Sequence, residues 1–210
     1  MILYAALVLA PMLIVVIGDR PAPRNLLVES GAMLGLLGLG ILSMQLVISG
    51  RHRWFAGSLG QDNVLQFHRQ LGIFGWLLVL AHPLCMLFGN PEYLAFLDPR
   101  EGWVRAISLY LLFLATTALI LSSFWRLRFE LQYEWWRAIH AALALLVVSG
   151  GLGHALMADH YTAGWLTKAL LGALIGLPLL LLLETRLVRP LRLRRRPWKV
   201  ATVEQRSGDV

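Results

Sequence analysis

Long apolar stretches separated by short polar connections divide most of the chain into predicted membrane-spanning helices. Six such stretches cover about residues 1–18, 26–49, 63–89, 103–124, 134–158 and 164–183. A helix needs about 20 mainly apolar residues to cross the hydrocarbon core of a bilayer. Connections that contain proline, such as 19–25 and 90–102, separate the stretches because proline cannot continue a helix. The pattern therefore predicts an all-α membrane protein, a bundle of six transmembrane helices.

Two of these stretches carry a pair of histidines at the same spacing. His68 and His82 lie fourteen residues apart in the third stretch, and His140 and His154 have the same separation in the fifth. Fourteen residues of α-helix rise about 21 Å and make almost four complete turns, so both histidines of one helix lie on nearly the same face. Two such helices side by side would present one histidine pair near each membrane surface. This geometry is typical of two stacked haems, each iron held by two imidazoles.

The alternatives to haem ligation are weaker. A single histidine in a span is most often a hydrogen-bonded interior residue, but polar groups in hydrocarbon are costly and usually functional. Zinc or copper would need ligands gathered at one depth, whereas helical rise separates these pairs by about 21 Å. The single cysteine, Cys85, excludes a C-x-x-C-H attachment site, so the predicted haems are non-covalent and of b type.

Small residues lie between the paired histidines on the same helix faces. Gly72 and Gly75 in the third stretch and Gly151 in the fifth leave room for a porphyrin plane, and we predict that they line the cofactor. The second stretch is also rich in glycine, which lets helices or a flat macrocycle approach closely. Trp76 lies near the midpoint between His68 and His82. It is either a core residue or an aromatic side chain between the two haems.

The charge distribution indicates a membrane topology rather than nucleic-acid binding. The chain has a formal net charge of +7 and is 58% hydrophobic. Most arginines fall in the connections after the second, fourth and sixth stretches and in the C-terminal tail, which predicts cytoplasmic termini in a multi-pass protein of the cell (inner) membrane. The pair His68 and His140 then lies on the inner side. Arg69 and Arg137 are candidates to bind inner haem propionates, or are ordinary cytoplasmic-side arginines.

Two cationic side chains are candidates for an acceptor site on the outer side. Arg24 precedes the second stretch and His160 follows the fifth, near the predicted position of the outer pair. A cation there would stabilise negative charge that develops on the acceptor, so both are predicted catalytic residues. Both could instead be ordinary loop residues. Glu29 is interpreted as a carboxylate in the first turn of a helix, near the positive end of the helix dipole.

Several motifs resemble the ferric reductase-like transmembrane domain superfamily, in its bacterial form. They are QFHRQLG and AHP in the third stretch, WWRAIH and GLGH in the fifth, and a basic tail that leads into PWKVATVEQ. The resemblance covers about residues 26–203, and the superfamily contains ferric reductases and NADPH oxidases. It implies haem ligation by the four histidines. It also implies electron flow from NADPH through FAD, the inner haem and the outer haem to an acceptor outside the cell, oxygen with superoxide formation or ferric iron.

The resemblance also implies a domain organisation. Residues 1–189 are predicted to form the haem domain, and 190–210 a basic linker and the start of a truncated FAD-binding β domain. The rest of that cytosolic dehydrogenase domain, with the FAD and NAD(P)H sites, is expected beyond the chain. One position departs from the pattern of eukaryotic oxidases: Met86 stands where they commonly have a further histidine beside the oxygen site. Electron transfer is therefore a firmer expectation than superoxide production.

Two other functions fit parts of the pattern. A stand-alone haem-binding subunit could take electrons from quinone or a separate flavoprotein and reduce a periplasmic partner, although the strand-like tail argues against it. A non-catalytic scaffold or transporter would have a similar distribution of apolar helices but no haem. The visible spectrum separates these classes, since bis-histidine haem gives sharp reduced α bands.

Overall fold

The described part of the chain is helical and contains no β-strand. The computed structural model describes residues 2–18, 21–49, 60–126, 128, 130 and 132–195. Seven α-helices lie in these ranges: α1 Ile2–Ile17, α2 Leu26–Ser49, α3 Gln61–Gly89, α4 Pro99–Trp125, α5 Tyr133–Met157, α6 Trp165–Leu183 and α7 Arg189–Arg195. A 3-10 helix, Pro91–Leu97, connects α3 to α4, and a π-helical turn, Glu184–Val188, connects α6 to α7.

Five helical segments in the described ranges are long and apolar enough to cross a membrane. They are α2, α3, α4, α5 and the continuous rod Trp165–Arg195 that α6 begins. Helix α1 has 16 residues, which correspond to a length of about 24 Å and fall short of a hydrocarbon core of about 30 Å. The described residues are thus consistent with an all-α membrane bundle. The structure shows five candidate spans and a shorter apolar helix where six spans were predicted.

Helix α2 forms the centre of the bundle. In the most apolar segment of α2, 61% of the residues are buried, compared with 6% in the corresponding segment of α3 and 11% in that of α5. It packs against α1, α3, α5 and α6. The larger core cluster joins side chains of α2, α4, α5 and α6: Leu39, Leu42, Leu46, Ala115, Val147, Val148, Leu171, Ile175 and Leu182. The two histidine-bearing helices are therefore the least enclosed, and α2 supports both of them from one side.

Glycine and asparagine hold α2 close to α3. A Cβ atom at Gly38 would lie 2.8 Å from Val79 Cγ2, so only glycine permits this approach of the two helices. At the start of α2, Asn25 Oδ1 accepts a hydrogen bond from the Val28 amide at 3.0 Å. Its amide nitrogen donates to the Gly89 carbonyl at 2.5 Å. Asn25 thereby caps α2 and fixes it to the end of α3.

Two helix boundaries differ from the sequence-based expectation. Helix α4 begins at Pro99, where Asp98 caps the Arg100 amide at 2.8 Å, but extended backbone at Gly102 interrupts this first turn before the predicted start at Trp103. After α6 the helical rod continues to Arg195. It therefore crosses the predicted domain boundary at residue 189. The predicted start of a β domain in 196–210 lies outside the described residues.

Candidate haem-binding site

The four intramembrane histidines meet in two pairs across α3 and α5. The ring centroids of His68 and His140 are 6.4 Å apart, with an interplanar angle of 59°. Those of His82 and His154 are 6.1 Å apart, at 68°. Two imidazoles that bind one metal ion from opposite sides through bonds of about 2 Å have centroids about 6 Å apart. The pairing matches the prediction, and both pairs fit a bis-histidine iron; ligation itself stays a prediction.

The pairs are separate from any larger metal-binding cluster. Within the ranges that the structure describes, no group of three or more histidine, cysteine, aspartate or glutamate side chains could hold a metal ion. A structural zinc site needs four such ligands. A haem iron takes only its axial ligands from the protein, because the porphyrin supplies the other four. Isolated histidine pairs therefore fit haem better than a bare metal ion.

The outer pair is anchored by the backbone of α2. His82 Nδ1 lies 2.8 Å from the Gly31 carbonyl oxygen. A carbonyl can only accept, so Nδ1 carries the hydrogen and Nε2 keeps the lone pair that a metal ion binds. A Cβ atom at Gly35 would lie 2.8 Å from His82 Nδ1, so glycine at this position makes room for the ring. The spacing of histidines on α3 gave no signal for Gly31 or Gly35, which belong to another helix.

The inner pair is anchored through side chains. Ser123 Oγ of α4 lies 3.2 Å from His140 Nδ1. The Trp136 ring, one helical turn before His140, lies 5.2 Å from the imidazole centroid at an angle of 35°. His68 Nδ1 is buried, and no described residue hydrogen-bonds to it. The position of the inner pair therefore depends mainly on His140. The histidine spacing gave no signal for Ser123 or Trp136.

The predicted cofactor-lining glycines have different surroundings. A Cβ atom at Gly72 would meet no heavy atom within 4 Å, which fits a flat group beside α3. At Gly75 the Cβ atom would lie 2.9 Å from Ile41 Cγ2, and at Gly151 3.1 Å from Leu39 Cδ1. Side chains of α2 thus occupy the space that both glycines provide, so the structure shows a helix-packing role for Gly75 and Gly151. Their cofactor role stays a prediction.

Trp76 lies on α3 between the two histidine levels. Its side chain is half-buried. Its Nε1 atom is buried, and no described residue accepts its hydrogen. A buried indole N–H normally has a hydrogen-bond partner. The structure is therefore compatible with both predicted roles, a core residue or an aromatic group beside the cofactor.

The two inner arginines lie against aromatic rings. The Arg69 guanidinium carbon is 5.7 Å from the centroid of Phe124. That of Arg137 is 5.6 Å from the centroid of Tyr133. Neither arginine forms an ion pair with a carboxylate of the described residues. Each is close in sequence to an inner histidine and carries a charge that a haem propionate could balance.

The two outer candidates meet at Glu29. The backbone N–H and the Nε–H of Arg24 donate to Glu29 Oε1 at 2.9 and 3.1 Å. His160 Nε2 lies 4.0 Å from the same oxygen. Arg24 Nη1 donates to the Tyr93 hydroxyl at 3.3 Å, and the guanidinium lies 5.5 Å from the Tyr161 ring centroid. We call these five residues the outer cluster. Glu29, interpreted from sequence as a helix-start carboxylate, connects the two predicted cations.

The charges of the outer cluster largely cancel near neutral pH. Burial, followed by the positive charge of Arg24, lowers the pKa of His160, and the Glu29 carboxylate partly offsets both effects. His160 is therefore mainly neutral at neutral pH, because its usual pKa is about 6.5. Glu29 balances the charge of Arg24. Near neutral pH the outer cluster carries almost no net charge.

Backbone connections place the outer cluster beside the outer histidines. Glu29 lies two residues before Gly31, whose carbonyl binds His82. In the loop after α5, the Thr162 hydroxyl donates to the Ala155 carbonyl at 2.9 Å, and Ala155 follows His154. An acceptor that binds at this end of the bundle would therefore approach both the outer pair and the outer cluster.

Comparison with known proteins gives one match. The model of a family described as ferric reductase like transmembrane component matches residues 34–151, more than half of the chain. The matched segment contains His68, His82 and His140 and ends three residues before His154. No curated protein and no solved structure matches the chain.

Proposed function

The chain belongs to the ferric reductase-like transmembrane component family of membrane electron-transfer oxidoreductases, and we propose that it transfers electrons through two b haems. His68 with His140 would hold the inner haem, and His82 with His154 the outer. The observation that carries this proposal is the separation of about 6 Å in each pair, as two ligands of one iron require. When bound, haem supplies one-electron redox chemistry.

The groups around the pairs would orient the histidines and hold the cofactor, and would not themselves react. The Gly31 carbonyl fixes the His82 ring with Nε2 available for a metal ion. Gly72 leaves open space beside α3. Arg69 and Arg137, unpaired with carboxylates in the described ranges, would bind the propionates of the inner haem. Packed apolar helices exclude water and keep the local dielectric low, which favours electron transfer between fixed sites over side reactions.

Arginine placement supports one orientation in the membrane. Many arginines lie on the side of the bundle where His68 and His140 lie. They are Arg126 and Arg128, which follow α4, and the arginines of α7. By the positive-inside rule this side is cytoplasmic, so we propose cytoplasmic termini in the cell membrane. Electrons would enter at the inner pair and leave at the outer pair.

We propose donor and acceptor from the family relationship and the outer cluster. The donor would be a cytosolic dehydrogenase domain with FAD and NAD(P)H, connected through the basic segment that begins near residue 190, with residues 1–189 as the haem domain. The acceptor would be oxygen or a ferric chelate, bound outside near Arg24 and His160. Their separation from His82 and His154 by only short segments of chain supports this location.

Electron transfer across a sealed vesicle tests the proposal. The purified protein is reconstituted into vesicles that contain ferricyanide, and dithionite is added outside. We expect trapped ferricyanide to be reduced faster than in protein-free vesicles, and a sharp reduced α band in the visible spectrum. Vesicles with the double variant His82→Ala/His154→Ala serve as the control and should react at the protein-free rate. Equal rates for wild type and control would contradict the proposal.

A further inference from the structure

Ser123 is a side chain that hydrogen-bonds one of the four intramembrane histidines. Its Oγ atom lies 3.2 Å from His140 Nδ1 and 3.0 Å from the Leu119 carbonyl oxygen. A serine hydroxyl has a single hydrogen, and a carbonyl can only accept. The hydroxyl therefore donates to Leu119, and its oxygen accepts the hydrogen of His140 Nδ1. This assigns the proton of His140 to Nδ1 and leaves Nε2 as the metal-binding nitrogen.

The partner histidine has no comparable contact. His68 Nδ1 is buried and unbonded within the described ranges. In the outer pair, His82 donates to a backbone carbonyl, which no side-chain substitution removes. The hydrogen bond between Ser123 and His140 can therefore be removed by a single side-chain substitution. It comes from α4, a helix that contributes no histidine of its own.

We propose that Ser123 is a positioning residue that fixes the tautomer of His140 and lowers the reduction potential of the inner haem. A hydrogen-bond acceptor on the second ring nitrogen raises the basicity of an imidazole ligand and orients its ring. A more basic ligand stabilises oxidised iron relative to reduced iron, so the potential falls. This inference rests on the proposed bis-histidine ligation.

The neighbouring serine provides a matched control. Ser122 Oγ donates to the same Leu119 carbonyl, at 3.1 Å, but contacts no histidine in the structure. Ser122→Ala therefore repeats the loss of a hydroxyl and of its bond to Leu119 without affecting His140. Ser123→Thr retains the hydroxyl, and threonine in a helix can make the same bond to the preceding turn. Ser123→Cys keeps a similar volume with a much weaker acceptor.

Spectroelectrochemical titration of the purified haem-loaded variants tests the inference. We expect Ser123→Ala to shift one of the two haem potentials upward and to leave the other in place. Ser123→Cys should shift the same component in the same direction, which retains the test if the alanine variant fails to fold. Ser122→Ala and Ser123→Thr should titrate as wild type. The low-temperature electron paramagnetic resonance signal of one haem should change in parallel with its potential.

The possible failures are distinguishable. If the wild-type protein binds two haems and both potentials are the same in Ser123→Ala and Ser123→Cys, the proposed role of Ser123 is wrong. The proposed haem ligation is then unaffected. An equal shift in Ser122→Ala would assign the effect to α4 packing and would also overturn it. A wild-type protein that binds no haem would contradict the proposed function itself.

Discussion

The inner and outer histidine pairs have nearly the same ring separation but are held by different kinds of contact. The outer pair depends on the backbone of α2, because the Gly31 carbonyl binds His82 and Gly35 leaves room for its ring. The inner pair depends on the Ser123 hydroxyl and the nearby Trp136 ring around His140. The outer pair should therefore be sensitive to added volume on α2, and the inner pair to lost polar groups on α4.

The charges near the two pairs differ as well. At the end of the bundle near His82 and His154, Glu29 balances Arg24, so the outer cluster is nearly neutral. At the inner end Arg69 and Arg137 lie over aromatic rings and have no carboxylate partner among the described residues. The inner end is thus suited to hold anionic groups permanently, whereas the outer end is suited to a neutral molecule or one that binds weakly.

The largest expected effect comes from removing single histidines. His68→Ala and His140→Ala should each abolish the same haem component, and His82→Ala and His154→Ala the other, because each iron loses one of its two axial ligands. Redox titration with optical detection identifies which component is missing in each variant. Loss of the same component in His68→Ala and His82→Ala would contradict the pairing across α3 and α5.

Added volume at Gly35 should weaken the outer site selectively. In Gly35→Ala the new Cβ atom would lie 2.8 Å from His82 Nδ1, so the ring must move. Overpacking of this kind costs about 1–3 kcal/mol, and we expect reduced outer-haem occupancy with the inner haem retained. Gly176→Ala in α6, where a Cβ atom meets no heavy atom within 4 Å, is the control and should bind both haems. Full outer-haem occupancy in Gly35→Ala would show that the ring tolerates the extra atom.

Removal of Arg24 or of His160 should slow acceptor reduction without changing either haem spectrum. Because Glu29 balances Arg24, Arg24→Ala leaves an unpaired carboxylate. The variant should therefore reduce an anionic ferric chelate more slowly than wild type, with a smaller effect for oxygen. His160→Ala should slow both reactions modestly. Stopped-flow reoxidation of the dithionite-reduced protein measures these rates, and wild-type rates in both variants would exclude both residues from the acceptor site.

A smaller expected effect is that the rate of outer-haem reoxidation depends on pH through the protonation of His160. Glu29 raises the pKa of His160, so Glu29→Gln should shift the pH midpoint of outer-haem reoxidation downward, while Arg24→Ala should shift it upward. Glu92→Gln, which removes an exposed carboxylate at the same end, is the control. His160→Ala should remove the transition. Shifts of the opposite sign would contradict the arrangement of charges around His160.

The lowered pKa of His160 also predicts how stability depends on pH. The unfolded chain binds this proton more readily than the folded protein does, so protonation favours unfolding. The contribution of His160 to stability is complete above its usual pKa of about 6.5 and falls as the pH drops below that value. Thermal unfolding in detergent between pH 7.5 and 5 should show a smaller loss of stability in His160→Ala than in wild type.

Properties that belong to a single helix could be predicted from the sequence. Helical rise and twist alone place the two histidines of one helix on one face at two levels. The predicted topology added that the third and fifth spans run in the same direction, so His68 was expected to meet His140 and His82 to meet His154. Packing contacts between the other helices could not be predicted in this way. Gly75 was expected to border a cofactor, but α2 packs there and Ile41 occupies the space.

Residues that meet across helices gave weak signals or none. Ser123 lies in the last turn of an ordinary apolar helix, and nothing in its local sequence indicates a contact with α5. Glu29 had a sufficient local explanation in the helix dipole, which concealed its pairing with Arg24 and His160. The apolar character of α1 predicted a sixth span, and its 16 residues make it shorter than the five candidate spans, so the sixth span stays a prediction.

The haem content of the purified wild-type protein tests the central claim most directly. A pyridine haemochrome assay combined with protein determination by amino-acid analysis gives the number of b haems per chain. Two histidine pairs, each suited to one iron, predict a ratio of about two, because the protein supplies both axial ligands of each haem. A ratio of one would contradict one of the two sites, and a protein without haem would contradict the account as a whole.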